Sequence, residues 1–568
     1  MEQMENKQTK WYKEAVVYQI YPFSFMDSNN DGWGDIPGIC SKLDYLKELG
    51  ITAIWFSPLY KSPCYDYGYD IADYRDIDPK FGTLEDFKGL VEQCHSRGIK
   101  VIMDMAINHS SIEHPWFLDA VRSKESPYRD YYIIREGKRK KGKLLPPTNW
   151  DSTFTGKAWE RIPGTDDFYL HLFCVEQADL NWENPAVRRE AVEIFRYWMD
   201  MGVDGFRLGV FNMFSKAYPL RDGKKKLAGT GEEYYVDGPR MHEFLKQLNR
   251  EAFSLYDSYT VGESFNPHPE DAYAYVKEEN RELDTIFNFD HLASDNIGGA
   301  KFFQKPFSMK QFKRGLLGHQ IANYQNGGWN TLVLENHDNC RSNSRFGIST
   351  KKFHYEASTF LPTIAFLGFG TPFIYMGEEF GMTGVKFQSL EDMKDPVTGF
   401  VSGLLTKYGV PKKLALRFMN FGARDHARVP MQWDDGVNAG FNSGHTPWQC
   451  LNGNYPEHNL KKDLESEKSV FRYYQRVIAL KKTELGIYGD ICEYDRSNRH
   501  ILCYARRYEG ETMLVFGNFS GKARAYTLPE AFQKLPYEVL LNNYDGPVLA
   551  GGVCRMRPYE AVVLKYKG

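Results

Sequence analysis

The chain has 568 residues, 42% of them hydrophobic and 15% aromatic, with a formal net charge of −3. That length and apolar fraction allow a barrel-sized core with additional domains. The near-balanced charge excludes nucleic acid or an anionic membrane as the main partner, because both demand a basic surface.

The first residues, MEQMENKQTKWYKE, are polar and lack the apolar run of a signal peptide. No apolar stretch approaches the ~20 residues that a membrane span needs. Nine scattered cysteines without a CxxC pair argue against a zinc site or a disulfide framework. A soluble cytoplasmic protein, monomeric or weakly homo-oligomeric, is expected.

Short β-rich runs then alternate with helical patterns. Strands are predicted at residues 15–21 (AVVYQIY), 51–56 (ITAIWF) and 99–105 (IKVIMDM). Five more begin at Val203 (VDGFRL), Tyr259 (YTVGES), Asp284 (DTIFNF), Trp329 (WNTLVL) and Pro372 (PFIYMG). Eight such βα units predict an α/β fold, a closed (β/α)8 TIM barrel. The interval 106–202 breaks the rhythm. It is rich in aromatics, Pro and Gly, and carries the basic run EGKRKKGK, which reads as a solvated hairpin tip. An interval this long is expected to be an inserted domain. It leaves the third strand at the barrel face where active sites sit. From residue 485, alternation around Gly turns predicts a small antiparallel β-domain. The expected organisation is a barrel at 1–105 and 203–484, an insertion at 106–202, and a C-terminal β-domain at 485–568.

Four segments at predicted strand ends carry candidate chemistry. DMAINH supplies Asp104, Asn108 and His109; DGFRLGVFN supplies Arg207 and Gly209; VGES supplies Glu263; ENHDNCR supplies His337, Asp338 and Arg341. Any one of these acids could be a helix cap or a loop hydrogen-bonder. Together, on neighbouring strand ends, they form the group of carboxyls that glycoside cleavage requires: one to protonate the leaving oxygen, one to attack the anomeric carbon, and one to stabilise positive charge.

These segments resemble the four signature regions of the α-amylase superfamily of glycoside hydrolases. QADLN at residues 177–181 is similar to the QPDLN of its oligo-1,6-glucosidase subfamily. VVYQIYPFSFMDSNNDGWGDIPGI, SPLYKSPCYDYGYDIADY, YLHLF, GTPFIYMGEE and RDHARVPMQW extend the resemblance over nearly the whole chain. It implies Glu263 as general acid/base and Asp338 as the acid that supports the distorted sugar ring. It also implies Asp66, Tyr69, His109, Phe173, Gln177, Arg207, His337 and Arg428 as the pocket for one terminal glucose, so the expected partner is an α-glucoside oligosaccharide. Val210 matches a position where valine accompanies α-1,6 specificity; as an isolated valine it would simply pack. Asp27, Asn29, Asp31 and Asp35, with the main-chain carbonyl of Trp33, resemble the family's calcium loop. Oxygen ligands at alternate positions suit a hard cation such as Ca²⁺ or Mg²⁺, although the same residues also form turns.

Two signature regions depart: region four reads NHDNCR in place of the usual NHDQPR, and the decisive departure lies in region two. The family reads GFRxD in its second region, and here Gly209 replaces the aspartate nucleophile. The resemblance therefore implies a scaffold that binds α-glucosides but hydrolyses them hardly at all, either through a single change in an active enzyme or as a natural non-catalytic sugar-binding protein. Sucrose isomerases and trehalose-6-phosphate hydrolases share most of these motifs, and the pocket segments contain no clear basic phosphate-binding signature.

Overall fold

A computed structural model describes residues 10–567 except 155, 227–228, 266–271, 298–299, 347 and 349–351. Eight short strands build its centre: β1 (Val17–Ile20), β2 (Ala53–Phe56), β3 (Lys100–Met105), β4 (Gly205–Leu208), β5 (Tyr259–Gly262), β6 (Thr285–Ile286), β7 (Thr331–Val333) and β8 (Thr371–Tyr375). All their pairings are parallel, in the order β6-β5-β4-β3-β2-β1-β8-β7. The first strand thus lies beside the last and the sheet curls into a barrel. β6 and β7 meet through side chains: Thr331 Oγ1 donates to the Ile286 carbonyl at 3.1 Å, and His291 Nε2 lies 2.7 Å from the Val333 carbonyl. Both faces of the strands are covered, which is why they read as mainly apolar runs although Gln19, Arg207 and Thr260 lie within them.

The crossover helices are α1 (Leu43–Leu49), α2 (Leu84–Ser96), α3 (Pro185–Asp200), α4 (Met241–Glu251), α5 (Met309–Gln325) and α6 (His354–Phe366). α2 shows how the sequence sets them. Thr83 and Asp86 close a capping box at its start, and Phe87, Leu90, Val91 and Cys94 recur on one face and are buried.

The segment after β3 folds around its own cluster, which includes Ile133, Trp150, Trp159, Phe168 and Phe173. Ile134–Glu136, Asp167–Leu170 and Trp159–Arg161 form a three-stranded antiparallel sheet, and His109–Ser111 pairs with Gln177–Asp179. The basic run is an exposed hairpin, Lys138–Lys140 against Lys143–Leu145. α3 falls inside the interval expected for the insertion yet packs on the barrel. Its Phe195 ring lies 4.9 Å from that of Phe206, and Trp198 Nε1 donates to the Tyr74 carbonyl at 2.8 Å. A parallel crossover needs a helix over the sheet, and α3 fills that role.

The C-terminal strands form a five-stranded and a three-stranded antiparallel sheet. Cys503, Leu514, Phe516, Cys554 and Val562 are buried between them. The domain is tied to the barrel by buried Arg506, which donates to the carbonyls of Leu367, Ile487 and Gly489. Among the described residues, no helix is long and apolar enough to cross a membrane.

Candidate active site

Strand register sets the site. Arg207 of β4 pairs with Asp104 of β3 and Val261 of β5, and Leu208 pairs with Met105 and Gly262. The residues that follow, Ala106, Gly209 and Glu263, therefore leave their strands at one level of the C-terminal rim. Backbone bonds hold that level: Gly209 N–H donates to the Met105 carbonyl at 3.1 Å and Glu263 N–H to the Leu208 carbonyl at 2.8 Å.

A continuous polar chain crosses the rim. Gln19 Nε2 lies 2.8 Å from His337 Nδ1. The other ring nitrogen, Nε2, faces Tyr69 Oη at 2.6 Å and Asp338 Oδ2 at 3.1 Å. Tyr69 Oη donates to Asp104 Oδ2 at 3.0 Å. Arg207 donates to Asp104 Oδ1 at 2.7 Å and to Glu263 Oε2 at 2.5 Å. Burial pushes the Glu263 carboxyl above its ordinary value, against the opposing pull of Arg207. Burial also acts to raise Asp338, but His337 and the guanidinium charges of Arg424 and Arg428 hold it well below the usual carboxylate range. Two neighbouring acids are thus driven apart, one toward holding a proton and one toward staying ionised, as acid and charge-stabiliser roles require.

The other predicted residues gather beside this chain. Gln177 Nε2 donates to Asp66 Oδ2 at 3.2 Å and lies 3.1 Å from His109 Nε2. His109 is held neutral, its pKa lowered by burial to about 4. The Phe173 ring sits 5.0 Å from His109, and Tyr69 stacks on His337 at 5.4 Å. Arg428 Nη2 donates to Asp338 Oδ1 at 2.9 Å.

Sequence reasoning passed over Arg424, although it opens the same RDHARVPMQW motif that contains Arg428. Its guanidinium joins three acids: Asp66 at 3.1 Å, Asp338 at 3.1 Å and Asp395 at 2.5 Å. It also missed Lys301, whose Nζ lies 3.4 Å from the Asp338 carbonyl; no motif surrounds that lysine.

Gly209 is buried, and its φ lies outside the left-handed region, so the backbone does not require glycine. The contrast with Gly205 is direct: a Cβ there would be 2.4 Å from the Tyr259 carbonyl oxygen, a true steric demand. Val210, the next residue, adopts φ 44° and ψ 39°. A β-branched residue in that region is strained, and such strain concentrates at functional sites.

The loop 27–35 follows β1 at the same end of the barrel, and its Trp33 ring stacks 5.4 Å from that of Trp448, which lies 5.0 Å from Tyr67. Asp27 accepts from the N–H groups of Asn30, at 2.7 Å, and Gly32, at 2.8 Å, and from Asn442 Nδ2 at 2.8 Å. Asn29 Oδ1 accepts from Asp31 N–H at 2.9 Å, and Asp31 from Trp33 N–H at 2.9 Å. Asp35 caps the helix Ile36–Cys40 through Gly38 N–H at 2.6 Å. Among the described residues, no three His, Cys, Asp or Glu side chains converge as a metal site. The loop nevertheless closes its oxygen donors within one turn-rich segment, a donor set that suits a hard cation.

A parallel barrel with paired carboxyls at its C-terminal rim, an insertion after β3 and a trailing β-domain defines the architecture of a family of glycoside hydrolases. Residues 19–489 match the alpha-amylase catalytic-domain family and residues 501–563 the alpha-amylase SusG C-terminal domain family, so the chain belongs to the α-amylase family. It is 46% identical to an oligo-1,6-glucosidase of Parageobacillus thermoglucosidasius, over 98% of this chain and 99% of that protein. It is 41% identical to a trehalose-6-phosphate hydrolase of Bacillus subtilis, over 99% of each chain. A crystal structure of a Bacillus licheniformis trehalose-6-phosphate hydrolase mutant superimposes with a TM-score of 0.93 at 40% identity, over 99% of this chain and all of that one.

Proposed function

We propose that this protein is an exo-acting α-glucosidase scaffold for a terminal, α-1,6-linked glucose of short oligosaccharides such as isomaltose, arrested because Gly209 brings no carboxylate to the anomeric carbon. The supporting observation is the convergence of Glu263, Asp338, Arg207, His337, Tyr69 and Asp66 around the rim position occupied by Gly209. With a carboxylate at that position, its oxygen would attack C1 while Glu263 protonates the departing glycosidic oxygen. Water, deprotonated by the now ionised Glu263, would then displace the enzyme carboxylate and release glucose. Ionised Asp338 would support the positive ring between these steps. Glycine leaves the first displacement without a nucleophile. Val210, beside that position, fits the α-1,6 preference, an effect of the ~1–3 kcal/mol that a hydrophobic pocket difference provides.

The deciding experiment is glucose release from isomaltose, maltose and sucrose by this chain and by Gly209→Asp in parallel. Activity in the variant alone establishes a scaffold disabled at one position, and the preferred sugar names its specificity. Inactivity in both makes the protein a sugar-binding relative that has lost catalysis more broadly.

One observation favours a second reading, hydrolysis of a phosphorylated disaccharide such as trehalose 6-phosphate. Lys301 lies against Asp338 and makes no carboxylate pair among the described residues, so it offers a cation to a phosphate on the leaving sugar. A Gly209→Asp variant that prefers trehalose 6-phosphate to isomaltose, with the preference lost in Gly209→Asp/Lys301→Ala, would establish it.

Asp27, Asn29, Asp31, Asp35 and the Trp33 carbonyl are proposed to hold a structural Ca²⁺ or Mg²⁺. Such an ion would cross-link the first loop and take no part in the chemistry.

A further inference from the structure

We propose that the N-terminal face of the barrel carries a second binding site, for a small phosphate-bearing anion. Ser258, Asp284 and Trp329 precede β5, β6 and β7, and they line a cavity of about 500 Å³. The strands run from this cavity toward the opposite rim, where Gly209 and Glu263 lie. Its volume falls within the usual range for small-molecule sites.

The lining is strongly cationic: Lys10, Lys13, Lys246, Arg250, Lys277 and Arg281. Three carboxylates share the wall; one is paired with cations and another is hydrogen-bonded by a neutral residue. Glu282 is held by His242 at 2.8 Å and Lys246 at 3.6 Å, with its side chain fully buried. Asp284 accepts from both the N–H and the hydroxyl of Thr260 at 2.8 Å. The third, Glu278, is exposed. Lys10, Lys13 and Arg281 make no ion pair among the described residues. Lys246, Arg250 and Lys277 are paired with Glu282, Glu251 and Glu279, so the positive excess rests on Lys10, Lys13 and Arg281 against Asp284 and Glu278.

Cations gathered around a concavity focus the potential inside it and draw in an anion. Ammonium and guanidinium groups are the natural donors to phosphate oxygens. Tyr12 and Trp329 close the floor, with Lys13 Nζ 5.5 Å from the Trp329 ring centroid, so an apolar surface lies beside the charges. A phosphate ester of about monosaccharide size satisfies both features.

The test is calorimetric titration of the unaltered chain with glucose 6-phosphate, inorganic phosphate and glucose at low ionic strength, repeated with Lys13→Glu/Arg281→Glu and with Lys301→Ala. Glucose 6-phosphate is expected to bind better than glucose, about tenfold more weakly in the double variant, and unchanged in Lys301→Ala. Equal binding of inorganic phosphate identifies the free anion as ligand; weaker binding identifies the ester. Both outcomes support the site. Unchanged affinity in the double variant, loss of binding in Lys301→Ala, or no phosphate-dependent heat overturns it. A thermal melt checks that the double variant is folded; if it is not, Lys13→Gln gives the same decision.

Discussion

Arg207 occupies the space that a side chain at Gly209 would enter: a Cβ built on Gly209 would lie 2.9 Å from Arg207 Nη1. The obstacle is the far end of a flexible side chain, not backbone. An aspartate introduced there meets a guanidinium of opposite charge that already bonds Asp104 and Glu263, and the Arg207 side chain must shift to admit it.

Gly209→Asp should therefore fold normally and gain hydrolysis of at least ~10³-fold, because removing one member of a catalytic unit costs on that scale. Initial rates of glucose release from isomaltose check this. A variant that folds but gains less than tenfold would contradict the reading of the rim.

In Gly209→Asp, Glu263 must carry a proton to assist the leaving group. Its pKa is raised in the folded protein, so the acid form persists above the ordinary glutamate range and kcat/KM falls as pH rises through that raised value. Glu263→Gln should abolish isomaltose cleavage yet retain the glycosylation step with α-glucosyl fluoride, whose leaving group needs no proton, and this limb of the pH profile should disappear. Persistence of the limb would assign it to another group.

Asp338→Asn removes the carboxylate on which Arg424 and Arg428 converge. Asp338 is a quarter exposed and Arg424 keeps Asp66 and Asp395, so the loss of stability is smaller than for a fully buried pair broken from one side. A lower Tm and isomaltose binding weakened at least tenfold are expected, read by thermal unfolding and titration calorimetry of the chain as it stands.

Glu379 provides a stability test away from the site. It is buried, accepts from Tyr18 Oη at 2.8 Å and also from Tyr45, and its pKa is raised by burial from 4.5 to about 7. A raised folded-state pKa gives a contribution that is complete below about 4.5 and lost as pH rises through about 7. The loss is on the order of 3 kcal/mol. Glu379→Gln should flatten the dependence of Tm on pH between those values; an unchanged slope would rule Glu379 out as its source.

If loop 27–35 holds a cation, Ca²⁺ added to chelator-treated protein should raise Tm, and Asp31→Ala should remove the response. An equal rise in both proteins would place the effect elsewhere.

Much of the architecture was legible in the chain itself. Eight apolar runs with helical spacers are local patterns, and burial on both faces writes each strand as a mainly hydrophobic run. Glu263, Asp338, Arg207 and His337 were legible because each ends or follows a strand within its own short motif. β6 was legible only in part: the run from Asp284 forms a two-residue strand, since its neighbour β7 is reached through side chains.

Sequence alone determined the barrel, the motif residues and the absence of a carboxylate at 209, because these depend on residues adjacent in the chain. Tertiary structure alone decided that Arg424 clasps Asp66 across 358 positions, that Lys301 reaches Asp338, that glycine at 209 is not required by the backbone, and that Lys10, Lys13 and Arg281 surround one cavity. The contacts among these join segments far apart in sequence, and only the closure of the barrel brings their charges within reach of one another.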